Sequence, residues 1–409
     1  MTSQHFDLMI AGGGLAGASL ALALGNTGKR IAVVESFAAD DSRQPSFDER
    51  TIALTYASKQ VFKGIGIWPA IAADACPIES IHISDRGRFS SARLDRSDIG
   101  TDALGYVVPT RSLGTALHAA LSSCQSITLH CPMTARGFAR HDQAVSVECS
   151  NGVRLESPLL VIADGGRSTL GAEAGLALNA RLYRQQALVT TVSVSRNHHN
   201  RAYERFTEHG PLAILPMTSQ RMAVAWTLPE VLANELKDMT EADFLSALQD
   251  AFGDRSGTFT RVGTRQTYPL SLGYLERPVT SRVVAIGNAA HLVHPVAGQG
   301  FNLGLRDVAD LSDYLQRHWQ ADSDPGEVTS LEEYAITRAG QTRHVGRFTD
   351  GLITLFTSRL PGAALARSIG LNLIDLSPSA KRFFLKRTMG LHGRLPRLTR
   401  GLTSQPPRD

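Results

Sequence analysis

Near the start of the chain two apolar runs bracket a glycine turn. Phe6 to Ala11 has strand length, Gly12-Gly13-Gly14 breaks it, and the Ala- and Leu-rich stretch Leu15 to Leu24 predicts a helix that Gly25 ends. Lys29 to Glu35 predicts a second strand, apolar until its acidic end. Strand, glycine turn, helix and strand in about 30 residues form a βαβ unit. Pro158 to Asp164 (PLLVIAD) and Arg282 to Gly287 (RVVAIG) predict two further buried strands that end in turn residues. Ala144 to Cys149 and Gly210 to Met217 read as strands of a more antiparallel region, and Thr240 to Phe252 has helical spacing. Phe301, Leu305, Val308, Leu311 and Leu315 recur at three and four residues, one face of a helix. The polar run Ala321 to Ser330 (ADSDPGEVTS) predicts a linker before a mostly helical tail, where Val345, Phe348, Leu352 and Leu355 share a face.

Composition narrows the class. A chain of 409 residues suits two intimately joined domains plus a tail, and 43% apolar with 20% charged residues is ordinary for a soluble globular protein. The net charge of +4 is unevenly spread. From Arg338 to Asp409 there are 13 basic and 3 acidic residues, leaving 29 and 35 for a mildly acidic body. Cys76, Cys124, Cys131 and Cys149 form no C-x-x-C pair and no zinc spacing, so four reduced thiols in a cytoplasmic compartment are expected, with no metal. The 18 uncharged residues from Leu8 to Gly25 have the length of a membrane span, but their glycines and the lack of a preceding basic residue argue for the βαβ turn instead.

The turn itself carries chemistry. In Gly12-x-Gly14-x-x-Gly17, the first glycine permits the tight turn, the second lets the backbone approach a pyrophosphate, and the third lets the helix pack on the strand. The helix N-terminus then offers free N–H groups and partial positive charge to phosphate. Glu35, 18 residues past Gly17, stands where a carboxylate accepts ribose hydroxyls and repels a 2′-phosphate, which argues against NADP at this site. The motif alone does not separate FAD from NAD.

Two later segments do. Ala163-Asp164-Gly165-Gly166-Arg167-Ser168 follows one buried strand, and GNAAHLVHPVAGQGFNLGLRD, Gly287 to Asp307, follows another. A helix starting near Phe301 would present N–H groups of Gly300, Phe301 and Asn302 to the negative N1–C2=O edge of a reduced flavin. With the first motif, these segments resemble the three fingerprints of the class A flavoprotein monooxygenases, the para-hydroxybenzoate hydroxylase fold. The resemblance implies an α/β fold: a Rossmann-like FAD-binding domain (1–79, 97–182 and 265–320), an inserted antiparallel-sheet substrate domain (80–96 and 183–264) and a helical, basic C-terminal region (321–409). It implies FAD as cofactor, and it adds Arg50, Arg111, Asp164, Gly165, Asn288, Pro295 and Gly298 to the FAD-binding set of Gly12, Gly14, Gly17, Glu35, Gly300, Phe301 and Asn302. Two positions depart from the general pattern. Asn288 replaces the usual ribitol-binding Asp, and Gly171 replaces an Arg of the middle motif.

HISDRG (His82 to Gly87), YERFTEHGPLAILPM (Tyr203 to Met217) and the G-N-A-A form of the third motif are most similar to the ubiquinone-pathway branch that hydroxylates 2-polyprenyl-6-methoxyphenol. This implies an FAD-dependent monooxygenase that uses NAD(P)H and O2, works through a C4a-hydroperoxyflavin, and forms 2-polyprenyl-6-methoxy-1,4-benzoquinol. A sister hydroxylase acting at another ring carbon, a prenyl-chain flavin reductase and a non-catalytic FAD-stabilised assembly member are the other readings of the scaffold. Such chemistry needs no side-chain nucleophile. His291 and His294 lie in the third motif, where turn-capping and loop-ordering roles are favoured over that of a base, so no catalytic residue is assigned. The basic tail, with Lys381-Arg382-Phe383-Phe384-Leu385-Lys386-Arg387, reads either as a peripheral anchor on the anionic inner face of a membrane or as a helical cap with solvated arginines; docking to ubiquinone-biosynthesis enzymes is equally compatible. Nothing resembles a nucleic-acid recognition fold.

Overall fold

The computed structural model describes residues 3–38, 41, 50–166, 168–293, 299–357 and 363–403. Its central six-stranded sheet has the order Val279–Thr280, Val283–Ala285, Leu160–Ile162, Leu8–Ala11, Ile31–Val34 and Ile127–His130. All run parallel except Val279–Thr280, which closes antiparallel on its neighbour. The four inner strands are buried at every residue, as a parallel sheet covered on both faces requires. Helices Leu15–Leu24, Thr110–Ser123 and Gln299–Gln320 cover one face through Leu20, Leu24, Leu113, Leu305 and Val308. A four-stranded sheet containing Val145–Cys149 and Arg154–Ser157 covers the other through Val147 and Leu155.

This order has a consequence for function. From Leu8–Ala11 the chain continues to one side, into Ile31–Val34; Leu160–Ile162 and Val283–Ala285 lie on the other side. The three strands that precede the three glycine-rich loops are therefore neighbours, and their carboxyl ends open at one place. Open α/β sheets bind ligands at such a switch point.

The second large sheet has nine strands: Ser80–Asp85, Ser91–Asp95, Arg181–Val194, Arg201–Phe206, Pro211–Met217, Arg221–Pro229, Phe259–Val262, Gln266–Tyr274 and His291–Leu292. Sheet membership thus runs past residue 264, because Gln266–Tyr274 pairs with Arg181–Val194. Helices Glu230–Asp238 and Glu241–Phe252 cover one face, where Phe244, Leu248 and Phe252 meet Tyr203 and Trp226. The opposite face looks toward the glycine loops.

The tail is helical over Val328–Thr357, Ala363–Leu376 and Pro378–Thr388. The side chains of Val345, Phe348, Leu352 and Leu355 lie outside the described residues. The polar stretch before the tail is tied down, since Arg282 donates to Asp324 Oδ2 at 2.7 Å and to the Pro158 carbonyl at 2.9 Å.

Candidate active site

The first loop is built on contacts that only glycine allows. Gly12 has φ +105°, and a Cβ there would stand 2.5 Å from the Ala163 carbonyl oxygen. A Cβ on Gly17 would stand 1.9 Å from the Gly12 oxygen, so the third glycine sets how closely helix and turn approach. Helix Leu15–Leu24 begins after Gly14 with no side-chain cap, leaving its positive end for a ligand. Glu35, at the end of the second strand, accepts from Gly13 N–H at 2.7 Å and from Phe37 N–H at 2.9 Å. The carboxylate is thereby fixed beside the turn.

The second loop brings Asp164 against the first. Burial in the surrounding protein raises its carboxyl above the usual range, opposed by a 2.9 Å hydrogen bond from the Ser168 hydroxyl. Ser168 also caps the short helix Thr169–Glu173 by accepting Gly171 N–H at 2.7 Å. Gly165, at φ +94°, has nothing within 4 Å of where a Cβ would be, so its backbone is bare.

The third loop is held by a buried ionic network. Asp307 Oδ2 accepts the Gly287 N–H at 2.8 Å and pairs with His291 Nε2 at 2.7 Å, while Oδ1 receives Arg338 Nε at 2.8 Å. Arg338 also reaches Asp310 at 3.1 Å. Burial alone would raise the Asp307 carboxyl, but Arg338 and His291 outweigh it and hold it below the usual carboxylate range. Sequence reasoning missed Asp307 and Arg338. His291 is buried in this network and is not in the cavity wall, which fits turn stabilisation; His294 lies outside the described residues.

Between the loops and the nine-stranded sheet is one cavity of about 1600 Å³, larger than the ~300–1,000 Å³ of a usual small-molecule pocket. Its nucleotide-side wall includes Gly12, Gly14, Glu35, Arg50, Arg111, Asp164, Gly165, Asn288, Gly300 and Phe301. Arg50 stacks over the Tyr268 ring, 4.8 Å from its centroid. Gly17 is packed behind the turn. The Asn302 side chain points into protein, accepting from Thr55 N–H at 2.9 Å and Ser58 Oγ at 2.6 Å and donating to the Ala53 carbonyl at 2.8 Å. Pro295 and Gly298 lie outside the described residues. The far wall is apolar, with Ile83, Leu94, Phe206, Leu215 and Val224 from the sheet and Leu371, Ile374 and Leu385 from the tail helices. Among the described residues no cluster of His, Cys, Asp or Glu could hold a metal ion.

Residues 5–348 match the FAD-binding domain family. The chain belongs to that family. The ubiquinone hydroxylase UbiL of Rhodospirillum rubrum is 34% identical over 399 residues, covering 97% of this chain and 93% of the relative. The 3-demethoxyubiquinol 3-hydroxylase of Escherichia coli is 29% identical over 399 residues, covering 96% and 100%. The crystal structure of p-nitrophenol 4-monooxygenase PnpA from Pseudomonas putida superposes with a TM-score of 0.79 at 18% identity, covering 96% of this chain and 100% of that one, and shows the shared fold. This protein is an FAD-dependent monooxygenase with a mixed α/β flavin-hydroxylase fold.

The donor set fits the cofactor. An uncapped helix N-terminus suits a pyrophosphate, a fixed carboxylate suits ribose hydroxyls, and the bare backbones at Gly165 and Gly300 let a flat ring system approach. At Gly300 the nearest atom to an added Cβ, on Val293, is 3.6 Å away.

Proposed function

We propose that this monooxygenase hydroxylates 2-polyprenyl-6-methoxyphenol to 2-polyprenyl-6-methoxy-1,4-benzoquinol in ubiquinone biosynthesis, with NAD(P)H and O2 as co-substrates. The observation that carries this reading is the cavity that joins the glycine loops to an apolar chamber walled by the sheet and the tail helices. Relatives named as ubiquinone hydroxylases along nearly the whole chain support the pathway.

In this reading Gly12, Gly14 and Arg50 face the pyrophosphate, Glu35 a ribose, and Asp164 and Asn288 the ribitol chain. Arg111 and Gly165 line the same groove. Gly300 and Phe301 bring the Gln299–Gln320 helix N-terminus to the ring, with Asn302 locking that helix to strand Thr51–Thr55. FAD held there would supply the redox chemistry, as acceptor of a hydride from NAD(P)H and donor of electrons to O2. The protein positions the ring and excludes water through the apolar wall.

Helix Ala363–Leu376 suggests how a prenyl chain enters. Leu371 and Ile374 line the cavity, whereas Ile369, Leu373 and Leu376, spaced by four and three residues, are exposed. Phe383 is exposed on the next helix, beside Arg382, Lys386 and Arg387. An apolar surface flanked by cations suits the inner face of an anionic membrane, where a polyprenyl substrate resides. No helix among the described residues is long and apolar enough to cross a membrane.

A second reading keeps the pathway and moves the ring position. It is favoured by the Escherichia coli relative, named for hydroxylation at carbon 3. Mass spectrometry of lipids from a strain lacking this protein separates the two. Accumulated 2-polyprenyl-6-methoxyphenol supports the first, an accumulated demethoxy-quinone the second, and an unchanged quinone pool overturns both.

A further inference from the structure

One carboxylate in the chamber has no partner. Alternation along Arg201–Phe206 turns Ala202, Glu204 and Phe206 toward the cavity. The register neighbours of Glu204 are Ile83 on one side and Ala213 on the other. Its Oε1 is buried without a hydrogen-bond partner, and among the described residues no cation lies within ion-pair distance. The charged groups on the same wall are Arg221 and Arg367, the latter held by Asp85 at 2.9 Å; His82 and Arg205 fall on the opposite face of the sheet. Neighbouring strand Pro211–Met217 contributes no titratable side chain. A carboxylate buried among apolar side chains is costly unless a ligand completes it.

We propose that Glu204 accepts the proton of the phenol hydroxyl, an assignment that rests on the hydroxylase reading above. The phenol O–H bond breaks, its electron pair stays on the oxygen, and the proton forms an O–H bond on the Glu204 carboxylate. No oxidant is consumed in this step. The resulting phenolate pushes density to the ring carbon that is hydroxylated. When that carbon releases its own hydrogen as a proton to water and the ring regains aromaticity, Glu204 returns its proton to the phenol oxygen.

The burial that isolates Glu204 also suits it to the task. It pushes the carboxyl up to about 7. That is closer to an ordinary phenol, near ~10, than a surface glutamate at ~4.3 would be. Sequence alone hid this residue, because nothing local to YERFTEH shows which strands surround its carboxylate.

The test uses full-length holoenzyme with 2-prenyl-6-methoxyphenol as a short-chain probe. Wild type is compared with Glu204→Gln and Glu204→Asp, all keeping FAD. Two quantities are read: binding of the probe, and the rate of product formation against pH. In wild type the rate of product formation rises with pH through about 7, as the Glu204 carboxylate that accepts the proton forms. In Glu204→Gln that acid limb is lost and hydroxylation falls at least ~100-fold. Glu204→Asp recovers part of the rate. A Gln variant within about threefold of wild type, with the same profile, overturns the role of Glu204 and leaves the hydroxylase reading intact. A wild type that binds the probe but never hydroxylates it overturns the hydroxylase reading and, with it, the role of Glu204.

Discussion

Arg338 and Asp307 lie 31 residues apart and meet in the interior, where the arginine Nε donates to the aspartate Oδ1 at 2.8 Å. Asp307 in turn holds the Gly287 N–H and His291, so the Val328–Thr357 helix is linked through one side chain to the third glycine loop. Removing one member of a buried pair leaves an uncompensated charge. Arg338→Ala is expected to lower stability by about 3–5 kcal/mol and to release FAD more readily. Denaturant unfolding and flavin retention on gel filtration check this. A variant within about 1 kcal/mol of wild type that keeps its flavin would show that the pair does not hold the loop.

Gly17→Ala should abolish flavin binding, although Gly17 is not in the cavity wall. The added Cβ would sit 1.9 Å from the Gly12 oxygen, and a backbone atom cannot yield as a flexible side chain does. The helix must move, taking its N-terminus away from the pyrophosphate position. Gly340→Ala is the matched control: it lies in a helix with nothing within 4 Å of the new Cβ, so it should be neutral or stabilising by up to about 1 kcal/mol. The ratio of flavin to protein absorbance in purified variants decides the matter, and equal flavin content in both would remove the close-approach argument.

These two positions also mark what the sequence can and cannot reveal. Gly17 is legible because a glycine three residues into an apolar helix weakens that helix unless another backbone must come close, and helix Leu15–Leu24 ends at Gly25 where the pattern stops. The motif strands are legible as apolar runs, with ends shifted by one or two residues; Pro158 to Asp164, for example, pairs only over Leu160–Ile162. Arg338 is not legible. An arginine in a mixed helix reads as solvated, and only the tertiary path of the chain brings Asp307 to it. Asn302 illustrates a finer limit: its helix-start position is readable, but its side chain locks Thr55 and Ser58. Glu204 and helix Ala363–Leu376 are hidden for a related reason, since their environments come from strands and helices far away in sequence.

The exposed apolar face of the tail should bind membranes independently of the chemistry. Leu373→Ser, Leu376→Ser and Phe383→Ser together remove side chains whose full burial contributes roughly 1.5–3 kcal/mol each. Even partial insertion predicts at least ~100-fold weaker partitioning onto vesicles containing anionic lipid. Raising the salt concentration should weaken the wild type further by screening Lys386 and Arg387. Hydroxylation of a short-chain soluble phenol should be unchanged, because none of the three side chains lines the cavity. Vesicle co-sedimentation reads the binding, and wild-type binding by the triple variant would return this face to a plain helical cap.

The buried Glu204 should also make stability depend on pH, with a sign that can be worked out. In the unfolded chain the carboxyl titrates near its ordinary 4.5, whereas in the folded chain it titrates near 7. Between these values the folded state binds the extra proton, so stability falls as pH rises through the interval and the loss is complete above the folded-state value. A shift of this size corresponds to at most about 3 kcal/mol. Glu204→Gln removes the titration while keeping the shape. The variant should therefore match wild type near pH 5 and be more stable than wild type near pH 8, by an amount that shrinks when a phenol occupies the chamber and completes the carboxylate. Denaturant unfolding of both proteins at the two pH values, with and without the phenol, measures this. A difference that is the same at both pH values would mean that Glu204 is already ionised and solvated in the folded protein.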